Sequence, residues 1–318
     1  MVIGPPAGVR RSGDAQLVVR RDNGRHAFGP SFVEFYEGSV RRLPRVPRPS
    51  CERADVPDLL LTRPAEGVVL ITLNRPERLN ALEWDTLRLL RDELATLAED
   101  RSVRAAILTG AGRGFCAGLD LQQDETFAPH REKVLENQEL FADAIVEMRE
   151  LTLPLIAAVN GPAAGGGLAL SLACDVRIAA PSARFGAAFV RIGLSGCDMG
   201  TSHLLPRIVG YGHASEMLLT GRLVPADEAE RIGLVNRVVP AEQLLDAALE
   251  TAGLIAANAP FGVRMTKQVL GVNVDAPSLR AAIELENRTQ VLTTGTAEQR
   301  EALAAFLERR PARFSTND

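Results

Sequence analysis

Asn160-Gly161-Pro162-Ala163-Ala164-Gly165-Gly166-Gly167 follows an apolar, strand-like run, Leu155-Ile156-Ala157-Ala158-Val159. Upstream, Gly114-Phe115-Cys116-Ala117-Gly118-Leu119-Asp120 follows a second such run, Arg104-Ala105-Ala106-Ile107-Leu108-Thr109. Each segment is a strand ending in glycines and leading into residues that can turn helical. Glycine admits close backbone approach and conformations closed to other residues. The first turn of a helix carries unpaired N–H groups, and its dipole favours negative charge. Two such N–H groups converging on one oxygen would stabilise a developing enolate. Repetition of the unit in one chain points to an α/β fold with a site built from backbone amides.

Outward from these segments the pattern alternates strands and amphipathic helices. Val68–Leu73 reads as a strand and Trp84–Ala98 as a helix, with Leu87, Leu90, Leu94 and Leu97 on one stripe. The spacing predicts a long helix over Arg131–Arg149, a short one over Gly166–Ala173 and a strand over Val176–Ala179. Beyond Gly200 the chain is mostly helical: Ala214–Leu219, Ala226–Ile232, Ala241–Ala257, Phe261–Leu270, Leu279–Leu292 and Ala297–Leu307. One apolar run, Leu234–Val239, interrupts that series. Three regions are expected: an N-terminal extension over 1–55, an α/β core over 56–222 and a helical region over 223–318.

Composition narrows the function. A chain of 318 residues, 46% hydrophobic and 24% charged, has the balance of a globular protein with a sizeable core. Its net charge of −4 argues against a nucleic-acid partner. Without an apolar stretch of about 18 residues, no membrane span is expected. Cys51, Cys116, Cys174 and Cys197 lack metal-ligand spacing or a disulfide framework, which suits reduced thiols in the cytoplasm, and no metal is expected. Residues 1–55 differ, with ten arginines, no lysine and six acidic residues. They read either as a loosely ordered extension or as an arm whose Phe28, Phe32, Phe35 and Tyr36 pack on a neighbour.

With Ile71–Leu82, which includes Asn74-Arg75-Pro76 and Leu79-Asn80-Ala81, the glycine segments also carry a resemblance. Ala173–Ala179, Gly200-Thr201, Thr220-Gly221 and Gly233–Asn236 extend it in order. From about Leu59 to Phe314 the chain resembles the enoyl-CoA hydratase/isomerase (crotonase) superfamily. The resemblance implies a crotonase-like spiral of repeated ββα units with a C-terminal helical module that builds homotrimers or dimers of trimers. It implies an acyl-CoA substrate, with coenzyme A as part of the substrate and no separate cofactor. It assigns the two oxyanion-hole amides to Ala117 and Gly166, flanked by Gly118 and Gly165. It expects Ala81, Asp120, Ala169 and Phe189 to line the substrate.

The resemblance has a gap where hydration chemistry would sit. Hydratases of the family place glutamates at the positions held here by Ala169 and Phe189, and neither of these side chains can move a proton. Asp198 remains, two residues before Gly200-Thr201, where some family isomerases use an aspartate to shuttle a proton. Its alternative reading is a cap for the helix starting near Thr201. Cys197 is a weaker nucleophile candidate, Cys116 reads as packing behind the hole, and His203 is a packed or solvated histidine that could approach the site. Arg75, Arg78 and Lys267 are candidates for CoA phosphates. The favoured reading is double-bond isomerisation. Hydration or thioester hydrolysis by unassigned residues and non-catalytic acyl-CoA binding are the alternatives. Gly112–Ala117 also fits a dinucleotide pattern, but Gln138, Glu139 and Leu140 fall in a helical pattern where an acidic strand end is needed.

Overall fold

The computed structural model describes residues 57–122 and 130–314; the expected features of residues 1–55 lie outside the described residues. The chain divides into Met1–Arg53 and Ala54–Asp318, and the account below concerns the second unit.

The hairpin β1 (Leu59–Ala65) and β2 (Val68–Leu73) opens the fold, followed by α1 (Trp84–Glu99), β3 (Ala105–Gly110) and α2 (Arg131–Glu150). Next come β4 (Leu155–Val159), β5 (Pro162–Ala164), α3 (Gly166–Ala173), β6 (Val176–Ala179) and β7 (Arg184–Gly186). Then follow α4 (Thr201–Thr220), β8 (Val224–Pro225), α5 (Ala226–Arg231) and β9 (Arg237–Val238). Four helices complete the chain: α6 (Leu244–Ala256), α7 (Pro260–Asn273), α8 (Leu279–Thr293) and α9 (Ala297–Glu308).

A six-stranded sheet runs β1-β2-β3-β4-β6-β9, antiparallel in the opening hairpin and parallel thereafter. A smaller sheet runs β5-β7-β8. This is a mixed α/β architecture, as the resemblance implies. Parallel strands need crossovers that cover both sheet faces, which explains why β3 and β4 are nearly continuous apolar runs. One face packs its larger core on α1 to α4, with Leu87, Leu90, Phe141, Met148 and Leu168 inside. The other face buries Val68, Ile107, Ile156 and Ile178 under Leu244, Ala248 and Ala252 of α6. Part of the expected C-terminal module is therefore core, and the outlying arm starts with α7.

The predicted helices all occur, but α4 begins at Thr201, well before the expected Ala214. Pro206 and Gly210 mask its period, and Gly210 breaks the helical backbone with φ 78°. Strands β1, β5, β7 and β8 are additional to the sequence reading. Three of them have two or three residues, too short for an alternating pattern to register. No helix among the described residues is long and apolar enough to cross a membrane.

Candidate active site

Strand β3 ends at Gly110, and two asparagines hold the loop that follows. Asn160 Nδ2 donates to the carbonyls of Gly110 (2.8 Å), Gly112 (2.9 Å) and Gly114 (3.1 Å). From the other side Asn80 Nδ2 donates to Ala111 (3.0 Å) and Gly114 (2.7 Å). Asn80 has φ 56°, a left-handed conformation that asparagine tolerates better than most residues. Its Oδ1 accepts the Arg75 N–H at 2.9 Å.

Past this clasp the chain runs beside Leu82 and then meets the start of α3. The Ala117 N–H donates to the Leu79 carbonyl at 3.0 Å, so it is already spent. This corrects the assignment of an oxyanion-hole amide to Ala117. Leu82 N–H donates to Gly118 O at 2.7 Å, and Asp120 N–H to Leu82 O at 3.0 Å. In that parallel bridge Leu119 is the paired residue, so its own N–H faces away from Leu82. No acceptor among the described residues meets the Leu119 N–H, nor that of Gly166 at the first position of α3.

These two amides are neighbours. A Cβ on Gly118, which has φ 93°, would lie 3.1 Å from the Gly166 nitrogen and 2.8 Å from Ala164 O. Around Gly166, the position a Cβ would take is 3.2 Å from Met199 Sδ and 3.5 Å from Leu82 Cδ1. Phe189 lays its ring against Gly165, 3.4 Å from the corresponding point there. Ala169 is fully buried in the core, with its N–H on Gly165 O at 3.1 Å. The free N–H groups thus sit in an apolar surround of Leu82, Phe189 and Met199, capable of gripping a single carbonyl oxygen.

Asp198 enters from the loop before α4. Its carboxylate accepts the Met199 N–H at 2.7 Å and a hydrogen bond from Gln138 Nε2 of α2. The side chain does not cap α4, whose N-cap residue is Gly200. The turn is closed by the main chain, with Thr201 N–H on Asp198 O at 2.9 Å, and by the Thr201 hydroxyl. Partial burial raises the Asp198 pKa from the ordinary aspartate value, and the donations from Met199 and Gln138 only partly oppose this.

Other candidates are spent elsewhere. Arg75 is buried and donates to Ala81 O (2.6 Å), Asp120 (3.1 Å) and Glu83, so it does not reach out to a phosphate. Asp120 is buried as well, accepting from Arg75 and from the Gln122 N–H (3.1 Å). It braces the loop, which corrects its reading as a ligand residue. Ala81 sits between these groups, its carbonyl taken by Arg75. Lys267 is tied to Asp175 (2.8 Å) and to Leu153 O (2.7 Å), removing it from the phosphate candidates. Arg78 stays at the surface, on Gln122 at 2.7 Å.

Burial pushes the Cys116 and Cys174 thiols up to about 12, so neither is a nucleophile near neutral pH. Cys197 is exposed. His203 lies half in solvent, 3.6 Å from Asp275. Among the described residues no group of three or more His, Cys, Asp or Glu could hold a metal ion.

Sequence reasoning missed Leu119, Gln138 and Met199. For Leu119 the usable signal was the alternation of hydrogen-bonding direction along an extended segment, but it needs the partner strand to set its phase. Gln138 and Met199 had no local signal, because they act only through contacts with Asp198 and Gly166.

The sequence and fold have counterparts among known proteins. The sequence profile described as enoyl-CoA hydratase/isomerase matches residues 63–317. A "probable enoyl-CoA hydratase" of Mycobacterium tuberculosis is 45% identical over 270 residues, covering 83% of this chain and 94% of that protein. The crystal structure of a "probable enoyl-CoA hydratase/isomerase" from Mycobacterium abscessus superposes with TM-score 0.77 at 41% identity, covering 82% of this chain and all of the other. A "monofunctional enoyl CoA isomerase" from M. smegmatis is 46% identical with TM-score 0.61, covering 71% of this chain and 98% of that one. With the profile spanning most of the sequence and both glycine segments built into one amide pair, the chain belongs to the enoyl-CoA hydratase/isomerase family.

Proposed function

We propose that this protein moves the double bond of an enoyl-CoA, using Asp198 as the proton carrier and the Leu119 and Gly166 amides as the oxyanion hole. The observation that carries the reading is the placement of Asp198. It is half-buried, and its neighbour Met199 rests against Gly166. The hydratase positions are filled by Ala169 and Phe189, which carry no exchangeable proton. The family name admits both hydratases and isomerases, and the M. smegmatis isomerase supports the second.

In this mechanism the thioester carbonyl accepts both amides, and the positive end of α3 adds to their field. The Asp198 carboxylate removes a proton from C2 of a 3-enoyl thioester, and the electron pair moves into the carbonyl to form a dienolate. The protonated Asp198 then returns the proton at C4, leaving the 2-enoyl product. Acyl-chain binding displaces water from Asp198, which raises its basicity further. Coenzyme A enters only as part of the substrate, and the exposed Arg78 is the remaining candidate for its phosphates. We also propose assembly into a homotrimer or dimer of trimers through the arm, where Leu270, Leu279, Val291 and Phe306 are 70–80% exposed.

The test is mass spectrometry and NMR of 2-enoyl-, 3-enoyl- and dienoyl-CoAs incubated with the protein in D2O. Bond migration with deuterium uptake is expected, and Asp198→Asn should abolish it while acyl-CoA affinity persists. Net gain of one water would replace this reading with hydration. Saturable binding without chemical change across the panel would replace it with an acyl-CoA binder.

A further inference from the structure

One polar group in the core has no partner among the described residues, where the fold could have used an apolar residue. Asn137 of α2 is 4% exposed, and its buried side-chain Nδ2 meets no hydrogen-bond acceptor among the described residues. Buried amides are normally satisfied, and an orphan among apolar side chains calls for an explanation. Asn137 shares the inward stripe of α2 with Phe141, Ala144, Ile145 and Met148.

Its surroundings trace back to the amide pair. One turn along the stripe, Phe141 meets Trp84 edge to face, with ring centroids 4.9 Å apart. Trp84 opens α1 two residues after Leu82, which lies against Gly166. The next residue on α2, Gln138, reaches Asp198, and two turns on from Asn137, Ile145 approaches Gly200. The α2 neighbours of Asn137 thus meet both the Leu82–Trp84–Phe141 wall and the loop carrying Asp198 and Met199.

We infer that Asn137 donates a hydrogen bond to a neutral oxygen at C4 or beyond on the acyl chain, so that the preferred substrates are distal oxoacyl-CoA thioesters. The inference rests on the acyl-thioester reading of the site. A carboxylate on the chain is disfavoured, because Asp198 lies beside Asn137's neighbour Gln138 and would repel it. A plain hydrocarbon chain would leave the amide buried and unpaired. Sites of that kind reject analogues that lack the matching oxygen.

The experiment is calorimetric titration with saturated, unreactive thioesters: octanoyl-CoA and its 4-, 5-, 6- and 7-oxo derivatives. At least one oxo isomer is expected to bind the native protein roughly ten- to a hundredfold more tightly than octanoyl-CoA. Asn137→Leu, nearly isosteric and apolar, should erase that preference and leave octanoyl-CoA bound at least as well. Equal affinity for all five ligands overturns the inference, as does a preference that survives in Asn137→Leu. If Asn137→Leu does not fold, the five native affinities decide alone. No catalytic turnover is involved, so failure of the isomerase chemistry would leave this result intact. Failure of octanoyl-CoA and every oxo isomer to bind would overturn the acyl-thioester reading together with this inference.

Discussion

Burial holds the Asp198 carboxyl above the ordinary aspartate range, against the opposing pull of the Met199 N–H and Gln138. A carboxylate acting as base is active when ionised, so kcat/KM should fall as pH drops through an inflection above the model-peptide value of about 4. Asp198→Asn should lose roughly 10²- to 10⁴-fold in isomerisation rate, read by the ultraviolet change on conjugation. The same burial makes stability depend on pH. With its folded pKa raised, Asp198 favours the folded state only while protonated, and that contribution is lost as pH rises through the folded value. The neutral side chain of the Asp198→Asn variant escapes this loss. Its Tm should match the parent at pH below the unfolded aspartate value, rise above it as pH passes through the folded value and keep a constant lead beyond that, measured by thermal melts from about pH 3 to 8. A Tm gap that stays constant over that whole range would contradict the assigned burial.

At the scale of elements, the site depends on two turns being pressed together. Gly118 carries φ 93° and has no room for a Cβ between Ala164 O and the Gly166 nitrogen. Gly118→Ala should therefore separate the amides. The expected result is at least a hundredfold loss in kcat, comparable to removing one oxyanion donor, with a stability loss of about 1–3 kcal/mol. Turnover and urea unfolding check the two parts. Gly167 is tighter still, since a Cβ there would fall 2.0 Å from Cys116 O. Much of this was legible beforehand: two glycine-rich strand ends and a helix opening at Gly166. The choice of amide was not. Ala117 and Leu119 flank the same glycine; only the fold shows that Leu79 O consumes the Ala117 N–H, while the bridge to Leu82 leaves the Leu119 N–H without an acceptor among the described residues.

Across the whole molecule, the arm is joined to the core by a partly buried ion pair. Lys267 of α7 meets Asp175, which also accepts the Leu155 N–H at 2.8 Å where β4 begins. Burial lowers the Lys267 pKa, and the attraction of Asp175 opposes that shift. Lys267→Ala leaves the partly exposed Asp175 short of its main counter-charge, so a loss of about 1–2 kcal/mol is expected. Limited proteolysis should then cut α7 to α9 faster than in the parent. Sedimentation velocity tests the proposed assembly: a species of three or six chains is expected, and a monomer at micromolar concentration would refute it.

The amino-acid sequence by itself determined the alternation of strands and helices, the glycine-built turns and the absence of a proton carrier at Ala169 and Phe189. Those properties are local, written in hydrophobic period and in residues whose backbone or side-chain chemistry admits few readings. Tertiary structure alone decided that Arg75, Asp120 and Lys267 serve the framework, and that Asp198 does not cap α4 with its side chain. It also decided that, among the described residues, the Leu119 N–H and the buried Asn137 Nδ2 meet no acceptor. The physical reason is common to all of them. A charged or polar group is defined by the partner it meets, and here most of those partners lie tens of residues away in the chain.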